Sequence, residues 1–447
     1  MRTLSWLVLV LGMPLAATAQ DSERWNLIYQ ATSIGQYHGT FRSPYQGPNS
    51  LQDQPEAHVS LTTTLFFGLR LARHTQFYFD PEVAGGKGFS DVTGIANFPN
   101  GEIPRVATAA PKPYIARLYV TQDFGFGSKT EKVSSDENQL AGERPLVRYC
   151  ISVGRFTATD FFDNNRYSHE PRTQFMGWGV MYNGAWDYPA DVHGYTWGWV
   201  HEFHARRWSL RYASVAEPRT ANGLRFDRRV FRNRGDLFEG EARYALGGHP
   251  GAVRLLGFLH HANSGTYADA IRMSVPDVTA TRRNGTLKYG TGLNLEQEIT
   301  KDLGVFGRLG WNDGKTETFA FTAIDRLASA GVSLAGSRWK RPEDTAGSVF
   351  TVSGLAGVHA VYLARGGLDF IIGDGKLRYG PEKSWEIYYS ARLLPGFFAT
   401  VDLQRIANPA YNRDRGPVWA GSLRLHLEAC FNRPARRPPG PSGPPSP

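Results

Sequence analysis

Hydrophobic and polar residues alternate strictly in the last regular segment of the chain, residues 418–431. One set of side chains is mainly apolar and comprises Trp419, Gly421, Leu423, Leu425, Leu427, Ala429 and Phe431. The intervening set is polar and comprises Ser422, Arg424, His426 and Glu428. Successive side chains of a β-strand point to opposite faces, so this period of two predicts a strand with one apolar and one wet face.

The same alternation recurs along the whole chain. Another clean example places Val59, Leu61, Leu65, Phe67, Leu69 and Leu71 on one face and His58, Ser60, Thr62, Thr64 and Arg70 on the other. Further strand segments are 25–35, 76–82, 114–123 and 147–156, and turn-prone residues near 73–74, 205–206, 247–249, 301–302 and 395–396 join strand pairs. We count about sixteen strands, or eighteen if segment 318–336 holds two short ones. This all-β pattern predicts a transmembrane, antiparallel, up-and-down β-barrel of about 16 strands.

The connections between the predicted strands alternate in length. Short turns are followed by long connections rich in glycine, proline and asparagine, at 36–56, 83–112, 158–192, 217–236, 263–286 and 361–383. Outer-membrane barrels show this asymmetry, with short turns at the periplasmic end and long loops outside. One exception is the polar stretch 125–145, which falls on the short-turn side by strand parity.

The two ends of the sequence differ from the barrel pattern. Arg2, the apolar run 4–15 and the small residues Ala17 and Ala19 match a secretory signal peptide over residues 1–19, which indicates export to the outer membrane of a Gram-negative-type bacterium. The barrel domain is expected over 20–431, with a proline-rich, disordered tail over 432–447. Phe431 continues the apolar face and is expected to end the barrel.

Composition and charge agree with an exported β-protein. Beyond the signal there is no apolar run of about 18 residues, which excludes helical membrane spans. The chain has 13% aromatic residues and 49 glycines, which suit aromatic girdles and tight turns. Cys150 and Cys430 are too few for a disulfide framework, and the sequence leaves their pairing open. The net charge of +9 is scattered, and nucleic acid is an implausible partner for an exported chain.

Several side chains carry candidate chemistry. Eight charged residues have wet-face parity and are candidates for the pore lining or, alternatively, generic wet-face polarity: Arg70, Arg117, Arg148, Arg308, Glu386, Arg392, Asp402 and Arg424. Neither the pair His201 and His204 nor the pair His260 and His261 shares a strand face, which disfavours a metal site. Tryptophans at predicted strand ends are expected mostly in the interfacial girdle, namely Trp186, Trp197, Trp199, Trp208 and Trp311. We find no catalytic motif and expect no enzyme, cofactor or metal.

Five further motifs stand out in the sequence: G-R-F-T-A-T-D-F-F-D-N-N at 154–165, R-P-E-D-T-A-G at 341–347, E-I-Y-Y at 386–389, D-L-Q-R-I-A-N-P at 402–409 and L-R-L-H at 423–426. Together they resemble motifs of the OprB family of carbohydrate-selective porins. The resemblance covers about 25–431 and implies a sixteen-stranded, often homotrimeric barrel that passes sugars down their gradient. It also implies a loop after the fifth strand that folds inward from near Asp160, and an arginine-bearing constriction to which Arg117 is assigned. A terminal aromatic is usual in such barrels, whereas here a tail follows Phe431.

The sequence as a whole therefore predicts an outer-membrane porin for carbohydrate-sized solutes, surrounded by lipid. A porin for other small solutes, such as anions drawn by the arginines, is the main alternative. An outer-membrane hydrolase is a third interpretation, and it would need a nucleophile and a base converging on one face.

Overall fold

The computed structural model describes residues 22–103, 110–320 and 322–431. Its strands are β1 (Trp25–His38), β2 (Glu56–Ala72), β3 (Thr75–Gly86), β4 (Lys112–Gly125), β5 (Thr130–Val133), β6 (Gly142–Pro145), β7 (Arg148–Phe156), β8 (Thr196–His204), β9 (Trp208–Ala216), β10 (Arg234–Leu246), β11 (His249–Ser264), β12 (Arg283–Glu298), β13 (Leu303–Asn312), β14 (Arg326–Ala335), β15 (Thr345–Gly354), β16 (Glu382–Leu394), β17 (Phe397–Ala407) and β18 (Val418–Cys430). Sixteen of them form one closed barrel, and β5 and β6 form a separate two-stranded sheet. Each barrel strand pairs with the next, and β1 pairs with β18 to close the ring.

The two faces of the strands have the predicted environments. In β18 the side chains of Leu423 and Leu425 are 51% and 40% exposed, whereas Arg424 between them is fully buried. The outward face is therefore apolar and the inward face polar, as the alternation predicts for a membrane barrel. The strand count is also confirmed at sixteen, because segment 318–336 contains a single barrel strand, β14.

The short turns lie where the sequence predicts them. Gly247 and Gly248 join β10 to β11 with φ angles of 57° and 83°. Two consecutive positive φ angles match the twist of a two-residue hairpin, and glycine adopts them without a steric penalty. The predicted short turn at 301–302 lies between β12 and β13, and the one at 395–396 lies between β16 and β17.

The hydrophobic core lies inside the barrel, where the long connections fold. Its buried members include Phe89, Ile95, Phe98, Phe162, Trp186 and Ile371. Trp186 was predicted in the interfacial girdle, and this prediction is wrong: its ring is fully buried, with the rings of Phe162 and Tyr188 at 6.3 and 5.2 Å. Trp197, Trp199 and Trp208 are instead about 45% exposed on the outer wall.

Within the described parts of the long connections there are three short α-helices: α1 (Trp178–Met181), α2 (Tyr267–Ile271) and α3 (Gly357–Ala364). No helix within the described residues is long and apolar enough to cross a membrane. Helix α3 lies in the connection before β16 and buries Tyr362 and Leu363, which accounts for the apolar composition of segment 361–383. Cys150 in β7 and Cys430 in β18 do not form a disulfide with each other. The signal segment 1–19 and the tail 432–447 lie outside the described residues.

Candidate solute site in the barrel lumen

The connection between β7 and β8, residues 157–195, folds into the lumen and is called the inner loop below. It follows the fifth barrel strand, as the family resemblance implies. Arg308 of β13 fastens it, because its guanidinium donates to Asp163 Oδ2 at 2.9 Å, to the Ser168 carbonyl at 2.6 Å and to the Val180 carbonyl at 2.9 Å. A fully buried arginine with these partners fixes the position of the loop.

Strands β16 and β18, further along the same side of the barrel, bind the inner loop through its backbone. Glu386 of β16 accepts hydrogen bonds from the Met176 and Gly177 amides at 2.5 and 3.1 Å. Arg424 of β18 donates to the Pro171 and Gln174 carbonyls, both at 2.7 Å. Asp402 lies beside them, buried, and accepts from Gln404 at 3.1 Å. Arg308, Glu386 and Arg424 therefore hold the inner loop against the barrel wall, and Asp402 is buried next to them.

A cavity of about 950 Å³ lies between the inner loop and the wall formed by β2, β3 and β4. Arg117 of β4 lines it and forms a two-point ion pair with Asp160, with Nε–Oδ2 and Nη2–Oδ1 distances of 2.7 and 2.6 Å. Asp80 of β3 lies 3.5 Å from the same guanidinium. Arg117 and Asp160, which the sequence singles out, are thus brought together at this cavity.

A second arginine of the cavity, Arg172, comes from the inner loop. Its guanidinium donates to Glu82 and Glu102, each at 2.9 Å, and to Thr64 at 2.9 Å. Burial opposes the charge of Arg172, but Glu102 and Glu82 outweigh it and raise the pKa of the guanidinium. The result is a buried cluster with paired charges at the cavity wall.

Aromatic rings complete the lining. The ring of Tyr114 stacks on His193 with centroids 4.0 Å apart. Tyr195 lies between two guanidinium groups, with Arg117 and Arg155 at 5.5 and 5.6 Å from its ring centroid. Its hydroxyl donates to Glu82 at 3.2 Å, and burial raises the pKa of Tyr195, which keeps this donor protonated. The cavity therefore presents ring faces next to hydrogen-bonding groups.

The other predicted site residues lie at the short-turn end of the barrel. Arg70 donates to the Glu23 and Ala141 carbonyls, both at 3.0 Å. Arg148 pairs with Glu131 at 2.9 Å. Arg392 pairs with Glu343 and is half-buried near the turn that follows β14. Arg70 and Arg148 also line the cavity at this end. The structure therefore places Arg70, Arg117, Arg148 and Asp160 at the cavity, the loop-binding residues on β13, β16, β17 and β18, and Arg392 at the short-turn end.

Comparison with known proteins identifies the family. The model of the carbohydrate-selective porin, OprB family, matches residues 51–428, which is most of the 447-residue chain. The chain belongs to this family. A search of curated proteins finds no match.

One solved structure shows the same fold, and two others are similar to a lower degree. The high-pH structure of Pseudomonas putida OprB is 14% identical, with a TM-score of 0.67 over 91% of this chain and 94% of that chain. Its low-pH structure is 12% identical, with a TM-score of 0.48 over 91% and 92% of the two chains. The outer-membrane channel DcaP of Acinetobacter baumannii is 9% identical, with a TM-score of 0.45 over 91% and 97%.

Family and fold together make this OprB-family protein a sugar porin of the Gram-negative outer membrane. The family and the fold are those of a channel. The sequence-based prediction of a carbohydrate porin is confirmed.

Sequence reasoning missed several residues of the cavity of this porin, among them Glu82, Arg172 and Tyr195, and also Asp80 next to Arg117. Asp80 and Glu82 alternate with apolar residues in β3, so strand parity alone could have indicated them. Arg172 and Tyr195 lie in and at the end of a long loop, where no period relates a side chain to the lumen. Glu82 and Arg172 are 90 residues apart in sequence, and only the folded loop brings them together.

Proposed function

We propose that carbohydrates pass through the cavity by exchanging hydrogen bonds with Arg117, Arg172, Glu82 and their neighbours. The observation that carries this proposal is that Arg117 and Arg172, which line the cavity, both have carboxylate partners. Arg117 pairs with Asp160, and Arg172 pairs with Glu82 and Glu102. Arg155, next to Tyr195, pairs with Asp191 at 2.6 Å.

Paired charges suit a neutral, hydroxyl-rich solute. A sugar hydroxyl both donates and accepts hydrogen bonds, so it can bind a guanidinium and a carboxylate in turn. The fields of the paired charges largely cancel, which leaves little net attraction for a free ion. The alternative anion porin needs unpaired positive charge at its constriction, and this pairing disfavours it.

The aromatic groups of the cavity support the same solute class. The carbon–hydrogen faces of a sugar ring are apolar and pack on aromatic faces, while the hydroxyls at the ring edge bind polar groups. Tyr114 and His193, which are partly exposed at the cavity, supply such faces beside Glu82. We propose that transport is passive and involves no catalytic step.

The outer wall supports a lipid environment. Apolar side chains such as Leu255, Leu309, Val401 and Leu423 are between 51% and 64% exposed on it. We propose that outer-membrane lipid covers this surface, since exposed apolar area of this extent is costly in water. The homotrimer implied by the family resemblance stays a prediction, and chemical cross-linking of the purified protein would count its subunits.

The proposal is tested by comparing a neutral hexose with the corresponding hexuronate in liposomes that contain the purified protein. We expect the neutral sugar to enter faster than the acid, and planar-bilayer reversal potentials to show no strong anion preference. Faster entry of the acid, together with anion selectivity, would overturn the proposal in favour of an anion porin.

A matched pair of variants assigns the effect to the cavity. Arg172→Gln leaves Glu82 and Glu102 without their cation and should slow hexose entry severalfold while moving selectivity toward cations. Arg206→Gln changes an exposed arginine in the turn between β8 and β9 and should leave both readouts unchanged. Equal behaviour of the two variants would remove Arg172 from the solute path.

A further inference from the structure

The connection between β4 and β7 is unusual for the short-turn end of the barrel. It spans residues 126–147 and contains the hairpin of β5 and β6, whereas the turns after β2, β10 and β16 have two residues each. The tip of the hairpin, residues 134–141, turns into the lumen and lines the solute cavity from below. We call residues 134–141 the turn-side insert.

The insert is fastened along one side by β1. The side-chain amide of Asn26 donates to Ser135 Oγ at 2.9 Å, to the Asp136 carbonyl at 3.2 Å and to the Gln139 carbonyl at 3.0 Å. Asn26 is itself buried. The buried amide of Asn26 therefore binds the insert at two backbone carbonyls and one side chain, which holds the insert in place.

The base and the flank of the insert are fastened as well. The Ala141 amide donates to Glu23 Oε2 at 2.8 Å, and Gln30 of β1 donates to Glu137 at 2.8 Å. Leu140 is 1% exposed, so the insert also buries apolar surface. Segments with many buried contacts and side-chain anchors open rarely, so we treat the insert as a fixed part of the lumen wall.

The tip of the insert reaches Asp80 and Arg117, the latter being the residue assigned to the constriction. Asn138 adopts a left-handed conformation with a φ of 52°, which asparagine tolerates well, and its amide donates to Asp80 Oδ2 at 3.0 Å. The same carboxylate oxygen lies 3.5 Å from Arg117 Nη1, and Arg117 in turn pairs with Asp160 of the inner loop. Two segments that enter from opposite ends of the barrel therefore meet through Asp80 and Arg117.

This chain of contacts gives Asn138 a positioning role. Asp80 is fully buried, and a buried carboxylate needs donors to offset its lost hydration. Asn138 supplies a neutral donor that leaves the charge of Asp80 available to orient Arg117. The insert also occupies lumen cross-section that a two-residue turn would leave empty.

We propose that the turn-side insert is a second selectivity element of the pore, which narrows it from the short-turn end and, through Asn138 and Asp80, sets the orientation of Arg117. This inference rests on the proposed solute path through the cavity. It adds to that path a specificity-determining segment that enters from the opposite end to the inner loop.

The first test replaces residues 134–141 by Asn-Gly, which closes the β5–β6 hairpin with a two-residue turn. We expect the single-channel conductance in potassium chloride to rise severalfold, and disaccharides to enter liposomes faster relative to hexoses. Unchanged conductance and an unchanged size preference would overturn the proposal. Conductance of salt does not depend on sugar recognition, so failure of the wild-type protein to pass sugars would instead reject the proposed function.

A second test does not depend on a deletion that folds. Asn138→Cys is prepared in a Cys150→Ser, Cys430→Ser background and treated with a bulky, water-soluble thiol reagent while the current is recorded. The control is Lys132→Cys, at an exposed position of β5 on the same hairpin. Modification should reduce the current by more than half at position 138 and leave it unchanged at position 132. No reduction at position 138, or an equal one at both positions, would overturn the proposal.

The positioning role has its own readout in ion selectivity. Asn138→Ala removes a donor to the buried Asp80 carboxylate, which favours its protonated form and leaves the charge of Arg117 less compensated. We expect its reversal potential to shift toward anion selectivity, whereas Asn138→Asp, which adds a negative charge, should shift it toward cation selectivity and Asn138→Gln should stay closest to wild type. Identical reversal potentials in all three variants would remove Asn138 from the positioning of Arg117.

Discussion

At the scale of single residues, Arg117 and Arg172 of the cavity each form ion pairs with carboxylates. Arg117 is held by Asp160 and Asp80, and Arg172 by Glu82 and Glu102. Removing one partner of such a buried pair leaves the other uncompensated, which costs more than the pair itself contributes. Single substitutions should therefore change the pore field strongly and in a direction set by the charge that remains.

Arg117→Ala tests this directly. The change leaves Asp160 and Asp80 without their cation, so the constriction becomes more negative, and ion selectivity in planar bilayers should shift toward cations. Hexose entry into liposomes should fall severalfold, because a donor for sugar hydroxyls is lost. Arg117→Lys keeps the charge but loses the two-point geometry, so it should restore selectivity more than sugar entry. If neither readout moves in Arg117→Ala, this residue is not at the constriction.

At the scale of elements, the strands were predictable and the path of the loops was not. The alternation in β2 and β18 is local, since each side chain reports the face it lies on, and barrel closure turns that parity into lipid and lumen. The same parity marked Arg308 and Glu386 as inward. That they bind the inner loop depends on contacts such as Arg308 with Asp163, 145 residues apart, which no local period encodes.

The anchors of the inner loop give a second prediction. Arg308→Met leaves Asp163 buried without its ion pair, which should destabilise the loop by about 3–5 kcal/mol. Hydrogen exchange of residues 157–195 should become faster while the strands stay protected. Arg392→Met is the control, because Arg392 pairs with Glu343 at the short-turn end, away from the inner loop, and both side chains are partly exposed. Equal exchange in both variants would contradict the anchoring role.

His359, Asp325 and Asp369 form a buried charged cluster, called the clasp below, in the connections at the loop end. His359 of α3 lies 2.9 Å from Asp325 and 3.0 Å from Asp369, and the ring of Tyr267 stacks on it at 4.1 Å. Burial opposes protonation, but Asp325 and Asp369 outweigh it and raise the pKa of His359 to about 9. Lys288 is a further charged group of this cluster, and its ammonium group interacts electrostatically with both carboxylates.

The sign of the resulting pH dependence follows from the raised pKa. A raised pKa in the folded state stabilises the clasp fully below the ordinary histidine pKa of 6.5, and this contribution is lost as the pH rises through about 9. Hydrogen exchange of residues 357–372 should therefore accelerate between pH 7 and pH 10, after correction for the intrinsic rate. In His359→Gln the corrected exchange should be fast throughout and lack this step. A corrected wild-type profile without the step would contradict the prediction.

At the scale of the whole molecule, one ring of backbone hydrogen bonds holds the barrel together. Its closing seam is the pairing of β1 with β18, in which Ser33 lies opposite Leu425 and Ile28 opposite Cys430. The Phe431 amide then donates to the Leu27 carbonyl at 3.0 Å, one residue beyond the end of β18. Closure satisfies the backbone groups that lipid could not, so the seam must form for the chain to be stable in the membrane.

The seam makes the end of the barrel testable apart from the residues that follow it. Phe431 is 62% exposed, and we expect it to serve as the terminal aromatic residue of the barrel. Residues 432–447 contain many prolines, which donate no ladder hydrogen bond, so we expect a chain truncated after Phe431 to form a heat-modifiable, membrane-inserted barrel with wild-type conductance. Phe431→Glu should lower the yield of assembled barrel far more than the truncation does. A charge near the membrane interface costs only about 0–1 kcal/mol in stability, so a large loss of yield would place the effect in assembly rather than in the folded state. Failure of the truncated chain to assemble, with normal assembly of Phe431→Glu, would show instead that the barrel requires residues beyond the β1–β18 seam.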